Sequence, residues 1–259
     1  MELKYIYKYD SVKALCDFIE NTPNNKKKTC NSSNKKDSKF SGTESLEEAI
    51  HLLKYGDPKL LKQIQKAATT TTKQAQTQRR SGMELFKSYL GFMPNVGAVL
   101  TGDPVNMYNV RQTLTKSTKV VNIIYDISTP YSTSAEKIQA AATKLFKYIY
   151  DIEMKGYRVN LYSCVLSSFN KSNGLFCLKI KSSNEHFDAL RTAFPLCHPS
   201  FLRRIFFALV ERSKIPAKDC YGYGRAYHII YGSKQAEDLI HSQFPNYNYY
   251  NIDTVDNAK

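Results

Sequence analysis

Apolar and polar residues alternate over residues 3–9, and this period of two predicts a short β-strand near the start of the chain. Asp10 or Ser11 follows and can cap a helix that runs to about Asn21. The pattern therefore begins with a strand and a helix.

A pair of helices is predicted next, on either side of the breaker Gly56-Asp57-Pro58. The apolar residues of the pair fall on one face of each helix: Leu46, Ile50 and Leu53 in the first, and Leu60, Leu61, Ile64 and Ala68 in the second. Residues 1–80 are predicted to form a small α-rich N-terminal region.

Residues 22–42 interrupt this region with a run that is rich in Lys, Asn and Ser and almost free of apolar side chains. Such a run cannot bury enough apolar surface to offset the entropy lost on ordering. The sequence predicts a flexible linker over residues 22–42.

Residues 81–114 combine turn residues with apolar ones. Gly and Pro recur between apolar side chains that a solvated loop has no reason to carry: Phe92, Met93, Val96, Val99 and Leu100. The segment is predicted to be an apolar lid that packs against the domain that follows, with Phe92 and Val96 buried.

Residues 115–259 carry the pattern of an α/β domain. Residues 120–125 are apolar on both faces, as in a buried central strand, and Thr133-x-x-Glu136 is a candidate capping box. The helix after it repeats apolar residues at a spacing of 3.6 and stops at Gly156: Ile138, Ala142, Leu145, Ile149 and Ile152. Residues 158–166 and 175–181 then predict an antiparallel hairpin.

The remaining pattern predicts two helices starting near Ser183 and Ser200, a strand over residues 225–231, a helix over residues 235–243 and a final strand from Tyr249. This order of elements predicts a three-layer, Rossmann-like α/β domain.

The same order resembles the von Willebrand factor A domain. In that family the first strand ends in an Asp-x-Ser-x-Ser metal site, a helix and an antiparallel strand pair follow, and a later Thr completes the site. Asp126 and Ser128 match the first two positions, Pro130 replaces the last Ser, and Ser132 stands close by. Ser200 falls about where the family has its Thr.

The resemblance implies Mg²⁺ held by Asp126, Ser128, Ser132 and Ser200, since Mg²⁺ takes oxygen ligands. The family's later acidic residue should fall near Gly232-Ser233, where no carboxylate stands. The alternative interpretation is that Asp126 caps the turn after its strand, with no metal or other cofactor. We favour this second interpretation.

Other catalytic patterns are absent from the sequence. No two histidines have metal-ligand spacing, and Gly222-Tyr-Gly224 precedes a predicted strand instead of following one. Cys164 and His198 have no local signature of a nucleophile and its base. We predict a non-enzymatic protein, with His228 packed in a strand and with Arg203 and Arg204 on an exposed helix face.

The charge of the 259-residue chain is strongly positive, with 37 basic against 23 acidic residues and a net charge of +14. This balance is typical of a solvated, Lys-rich surface, and the alternative is contact with nucleic acid or another polyanion, although no compact arginine block occurs. The six cysteines include no C-x-x-C pair and indicate reduced thiols. No apolar run is long enough to span a membrane.

The stretch GFMPNVGAVLTGDPVNMYNV, joined to this α/β domain, looks like a family of uncharacterised tailed-phage proteins. That resemblance implies a phage product in the host cytoplasm, with association with the virion as a further expectation. The predicted function is protein–protein interaction, in assembly or partner binding, through the von Willebrand A-like domain. The alternative is a basic nucleic-acid-associated protein in phage replication or packaging.

Overall fold

The computed structural model describes residues 2–24, 32–35, 38–69, 83–112, 119–170, 172–216 and 221–257. Its strands are β1 (Leu3–Tyr9), β2 (Met83–Ser88), β3 (Met93–Pro94), β4 (Met107–Gln112), β5 (Val120–Asp126), β6 (Arg158–Phe169), β7 (Ser172–Lys181), β8 (Arg225–Ala226) and β9 (Asn248–Asn251). Its helices are α1 (Val12–Asn21), α2 (Ser38–Ser41), α3 (Leu46–Tyr55), α4 (Pro58–Thr69), α5 (Val96–Leu100), α6 (Ala135–Met154), α7 (Ala189–Cys197), α8 (Phe207–Arg212), α9 (Tyr227–Tyr231) and α10 (Ser233–His241). A π-helical segment, Phe201–Phe206, runs directly into α8.

The main sheet has the order β1-β7-β6-β5-β9, and β8 pairs with β6. Strand β5 is parallel to both β6 and β9, and β1 is parallel to β7. Strands β6 and β7 form an antiparallel hairpin. The predicted α/β class, the central strand and the hairpin are confirmed, and the sheet is mostly parallel.

Helices cover both faces of the main sheet, and β5 is therefore buried on both sides. Ile123 and Tyr125 belong to one core with α1, α3, α4, α6, α7 and α8, whereas Ile124 belongs to a second core with α9, α10 and Tyr249. This is the three-layer arrangement that the apolar pattern predicts. Among the described helices, none is long and apolar enough to cross a membrane.

The predicted boundary near residue 80 does not separate two cores. Strand β1 forms an edge of the main sheet beside β7, and buried residues of α1, α3 and α4 lie in the same core as β5. Periodicity identifies each of these elements but not their partners, which lie far away in the chain.

The described parts of residues 22–42, over which the sequence predicts a flexible linker, make specific contacts with the main domain. Ser33 and Ser41 are buried, and α2 begins at Ser38. The Arg204 guanidinium donates to the carbonyl oxygens of Ser33, at 2.7 Å, and of Lys35, at 2.8 Å. The segment is therefore ordered by polar contacts with a buried charge, which an apolar pattern cannot reveal. Residues 25–31 and 36–37 lie outside the described residues.

The predicted exposed face formed by Arg203 and Arg204 is wrong. Their exposed fractions are 6% and 0%. Both lie in the π-helical segment, where the N-terminal segment covers them: Arg203 donates to the Phe40 carbonyl at 2.7 Å, and Arg204 to the Thr43 carbonyl at 2.7 Å.

The predicted strand over residues 225–231 is mostly a helix. Of this stretch only Arg225–Ala226, strand β8, pairs with β6; α9 follows and ends at Tyr231, with Gly232 as its C-cap at φ +93°. Tyr227 and His228 are buried whereas Ile229 and Ile230 are exposed, so exposure changes in pairs and does not alternate. The β-branched residues of this stretch suggest a strand, but burial on one side of a short helix decides its structure.

Residues 83–112, named here the apolar module, form a separate three-stranded sheet of order β2-β4-β3 with α5 between β3 and β4. The predicted burial of Phe92 and Val96 is wrong, since their exposed fractions are 64% and 65%. Strand β4 pairs with both β2 and β3, which satisfies backbone groups within the module but leaves these apolar side chains uncovered in the described residues.

Candidate functional site

The carboxyl ends of β5 and β9 lie side by side, with Asp126 and Asn251 in register. From β5 the chain passes through α6 to β6 on one side, whereas β9 lies on the other side. In open α/β sheets, ligands bind where strand order reverses in this way. Both strands end in a polar residue that is completely buried.

The Asp126 carboxylate is held by donors of the protein itself. Oδ1 accepts from the backbone N–H groups of Ser128, at 2.9 Å, and Leu166, at 3.3 Å. Oδ2 accepts from the Tyr249 hydroxyl at 3.0 Å. Burial, together with the charge of Asp126, holds the pKa of Tyr249 well above its usual value, so this hydroxyl keeps its proton. Asp126 thus closes the turn after β5 and ties it to β6 and β9.

His228 lies between two carboxylates. Its Nδ1 is 3.5 Å from Asp126 Oδ2, and its Nε2 is 3.8 Å from Asp253 Oδ2. Burial lowers the pKa of His228, but the carboxylates of Asp126 and Asp253 more than offset this, and the pKa is raised overall. The cluster therefore favours a charged imidazolium that links α9 to β5 and to the turn after β9.

This cluster predicts that stability falls as pH rises. Because the folded-state pKa of His228 exceeds the unfolded value of about 6.5, the pair contributes fully below that pH and loses its contribution as pH rises through the folded pKa. We expect the free energy of unfolding of wild type, relative to His228→Gln, to decrease over this range in urea titrations.

The control is His51→Gln, because His51 is exposed on α3, outside the cluster. This variant shows how loss of a histidine outside the cluster changes the dependence of the free energy of unfolding on pH. A difference between wild type and His228→Gln that stays constant as pH rises would contradict the charged state of His228.

The four residues of the predicted metal site lie in different surroundings. Asp126 and Ser128 are adjacent and buried, and Ser132 is exposed. Ser200 is buried, with its Oγ bonded to the carbonyl oxygen of Ser41 and, at 2.9 Å, to Thr43 Oγ1. In the described part of the chain, no group of three or more His, Cys, Asp or Glu residues has the geometry of a metal site.

The sequence pattern does not identify three members of the cluster at the strand ends: Tyr249, Asn251 and Asp253. The sequence predicts the fourth strand of the α/β domain at residues 225–231. The resemblance therefore places the family's acidic residue near Gly232 and not after β9. Polar residues in the NYYNIDT stretch, where β9 ends, are a sequence signal for a site at the end of this strand. Only the folded structure shows that Asn251 lies beside β5 and Asp253 beside His228 of α9.

A cavity of about 530 Å³ opens beside the turn after β5. Ser128, Thr129 and Pro130 form one wall, and residues 222–226 form another. The hydroxyl oxygens of Ser128 and Thr129 are covered by protein and make no hydrogen bond in the described structure. The predicted metal-site region thus borders a cavity, and Ser128 lines this cavity whereas Asp126 does not.

A second candidate surface is the apolar module. Eight of the fifteen large apolar side chains that are exposed in the described residues belong to it: Leu85, Tyr89, Leu90, Phe92, Met93, Val96, Val99 and Leu100. Exposed apolar side chains grouped in this way mark contact sites more often than free surface.

These features define a mixed α/β protein with a mostly parallel sheet between helical layers, a polar cluster at the carboxyl ends of its strands and a separate apolar module. Over residues 2–255 the chain matches the family described as "Domain of unknown function (DUF7192)", and it belongs to that family. No curated protein and no solved structure matches the chain.

Proposed function

We propose that this protein is a non-enzymatic assembly protein that associates through its apolar module, and that the occupant of this surface is a second copy of the chain. The observation that carries the proposal is the exposure of eight large apolar side chains within residues 83–112. Leu90 and Leu100, with exposed fractions of 81% and 82%, are among the most exposed of them.

The energetic argument is that such side chains gain about 1.5–3 kcal/mol each when they become fully buried. Every copy of the chain presents the same surface, so two copies can bury it reciprocally about a two-fold axis, the commonest arrangement of homo-oligomers.

Charge supports a protein occupant at this surface. The apolar module carries two acidic residues, Glu84 and Asp103, and two basic ones, Lys87 and Arg111, and is therefore neutral, while the whole chain carries +14. Two copies of so basic a chain repel each other, and contact through the neutral part minimises that repulsion. A nucleic acid needs positive charge, which the module does not provide.

We also propose that the main domain is a divergent von Willebrand A-like domain. Strand β5 ends at Asp126, α6 follows, and the β6–β7 pair comes next, which is the order that the resemblance implies. The donors around Asp126 support its role in closing the turn without a metal.

The test is association in solution. We expect wild type to form dimers and the double variant Leu90→Ser, Phe92→Ser to weaken dimerisation by at least about 3 kcal/mol, more than 100-fold in Kd, in sedimentation equilibrium. Because both side chains are exposed in a single copy, the variant should keep the melting temperature of wild type when both are measured at a protein concentration below the dimer Kd.

The matched control is Tyr55→Ser, at an exposed aromatic residue on α3 outside the module. It should leave the dimer Kd unchanged. A wild-type chain that stays monomeric at about millimolar concentration would contradict the proposal, as would equal association of wild type and the double variant.

A further inference from the structure

The cavity beside the turn after β5 carries positive charge without an opposing carboxylate. Arg203 and Arg225 line it, and no Asp or Glu is among the described residues that do. Two arginine residues thus line one concave surface of about 530 Å³, a size typical of small-molecule sites.

Arg203 is the more informative of the two because it is buried. Its Nη1 donates to the Phe40 carbonyl at 2.7 Å and its Nη2 to the Thr133 carbonyl at 2.8 Å. Its guanidinium carbon lies 4.3 Å from the centre of the Phe40 ring. Within the described ranges, Arg203 takes part in no ion pair. A buried cation without an anion is costly, and a ligand anion would compensate it.

The remaining walls are aromatic and aliphatic. Phe40 and Tyr131 stack with ring centres 4.8 Å apart, and Phe207 and Tyr223 stack at 3.9 Å. All four line the cavity, and Tyr131 is 80% exposed at its rim. Tyr223 is buried, whereas Phe40, Tyr131 and Phe207 are at least partly exposed, and flat aromatic faces that are exposed in this way stack against planar rings of a ligand.

We propose that this cavity binds a mononucleotide-type ligand, with its phosphate at Arg203 and Arg225 and its ring against the aromatic walls. Two guanidinium groups match a phosphate monoester, which carries a charge of about −1.5 to −2 at pH 7, better than a single carboxylate. The ligand makes its contacts through the arginines and the aromatic walls, and not through the hydroxyls of Ser128 and Thr129, which are covered by protein. The site is separate from the apolar module and independent of self-association.

The experiment is isothermal titration of the full chain with 5′-AMP at low salt. We expect saturable binding of 5′-AMP, at least about ten times tighter than that of adenosine, of inorganic phosphate or of N-acetylphenylalanine. Adenosine lacks the phosphate, inorganic phosphate lacks the ring, and N-acetylphenylalanine combines a ring with a single negative charge.

The site is located by Arg225→Gln, because Arg225 is exposed and its replacement leaves the buried contacts of Arg203 in place. We expect Arg225→Gln to weaken 5′-AMP binding about tenfold or more. Arg191→Gln is the control, since Arg191 is an exposed arginine outside the cavity, and it should bind like wild type. The monomeric variant Leu90→Ser, Phe92→Ser should also bind like wild type.

Each opposite result overturns the proposal. Absence of saturable heat up to about 10 mM 5′-AMP excludes the ligand class. Equal binding of inorganic phosphate excludes the ring contact, and equal binding of adenosine or N-acetylphenylalanine excludes recognition of the phosphate. Equal binding by wild type and Arg225→Gln places the ligand elsewhere.

Discussion

Replacement of Glu211 by alanine lowers the free energy of unfolding by about 3–5 kcal/mol, one of the two largest effects that we expect. The buried Glu211 carboxylate accepts from the Ser33 N–H at 3.1 Å, the Ser33 hydroxyl at 2.6 Å, the Tyr223 hydroxyl at 2.6 Å and the Asn24 amide at 3.0 Å. Its removal takes away the acceptor of these four hydrogen bonds and loosens the segment whose Ser33 carbonyl accepts from Arg204.

Urea titration of Glu211→Ala against wild type measures this effect. Glu237→Ala is the matched control, because the half-exposed side chain of Glu237 on α10 makes only a 4.0 Å ion pair with His241, and it should change stability by less than about 0.5 kcal/mol. Equal stability of Glu211→Ala and wild type would show that the segment from Ser32 to Lys35 does not hold the fold together.

Replacement of Asp126 by alanine also costs about 3–5 kcal/mol, well above the roughly 1 kcal/mol of a turn cap at the surface. The larger figure follows from burial, because the change strands the N–H groups of Ser128 and Leu166, the Tyr249 hydroxyl and the buried imidazole of His228. Asp253→Ala should cost less than about 1 kcal/mol, because Asp253 is about half exposed.

The role of Asp126 without a metal is tested by the melting temperature in Mg²⁺ and in a chelator. A ligand that binds only the folded state raises the melting temperature, and we expect no such rise for wild type. A rise in Mg²⁺ that Asp126→Asn abolishes would instead establish the metal site formed by Asp126 and Ser128.

Strong periodicity accounts for what the sequence predicts correctly. The strand β5, the helix α6 and the β6–β7 hairpin have apolar residues at the spacings that their burial requires, and all three lie where predicted. The N-cap lies one residue later than predicted, since the Ser134 hydroxyl, and not that of Thr133, accepts from the Lys137 N–H, so that Thr133-x-x-Glu136 is not a capping box.

The errors have two physical sources. Buried charge orders a polar segment, as Arg204 and Glu211 do for Ser33, and this depends on contacts between residues that are far apart in the chain. Apolar residues also lie exposed, as Phe92 and Val96 do, and the apolar pattern of a sequence does not distinguish these from core residues. The candidate site also depends on contacts between distant residues. The sequence predicts Asp126 as a site residue, but not Tyr249 and Asp253, which only the fold brings close to Asp126 and His228.

Hydrogen–deuterium exchange at low and high protein concentration tests the central claim, self-association through the apolar module, most directly. We expect the backbone amides of residues 83–112 to exchange more slowly at high concentration, while those of β5, α6 and the other elements of the main domain keep their rates. Concentration-dependent protection confined to the main domain, or protection that is the same at both concentrations throughout the chain, would contradict it.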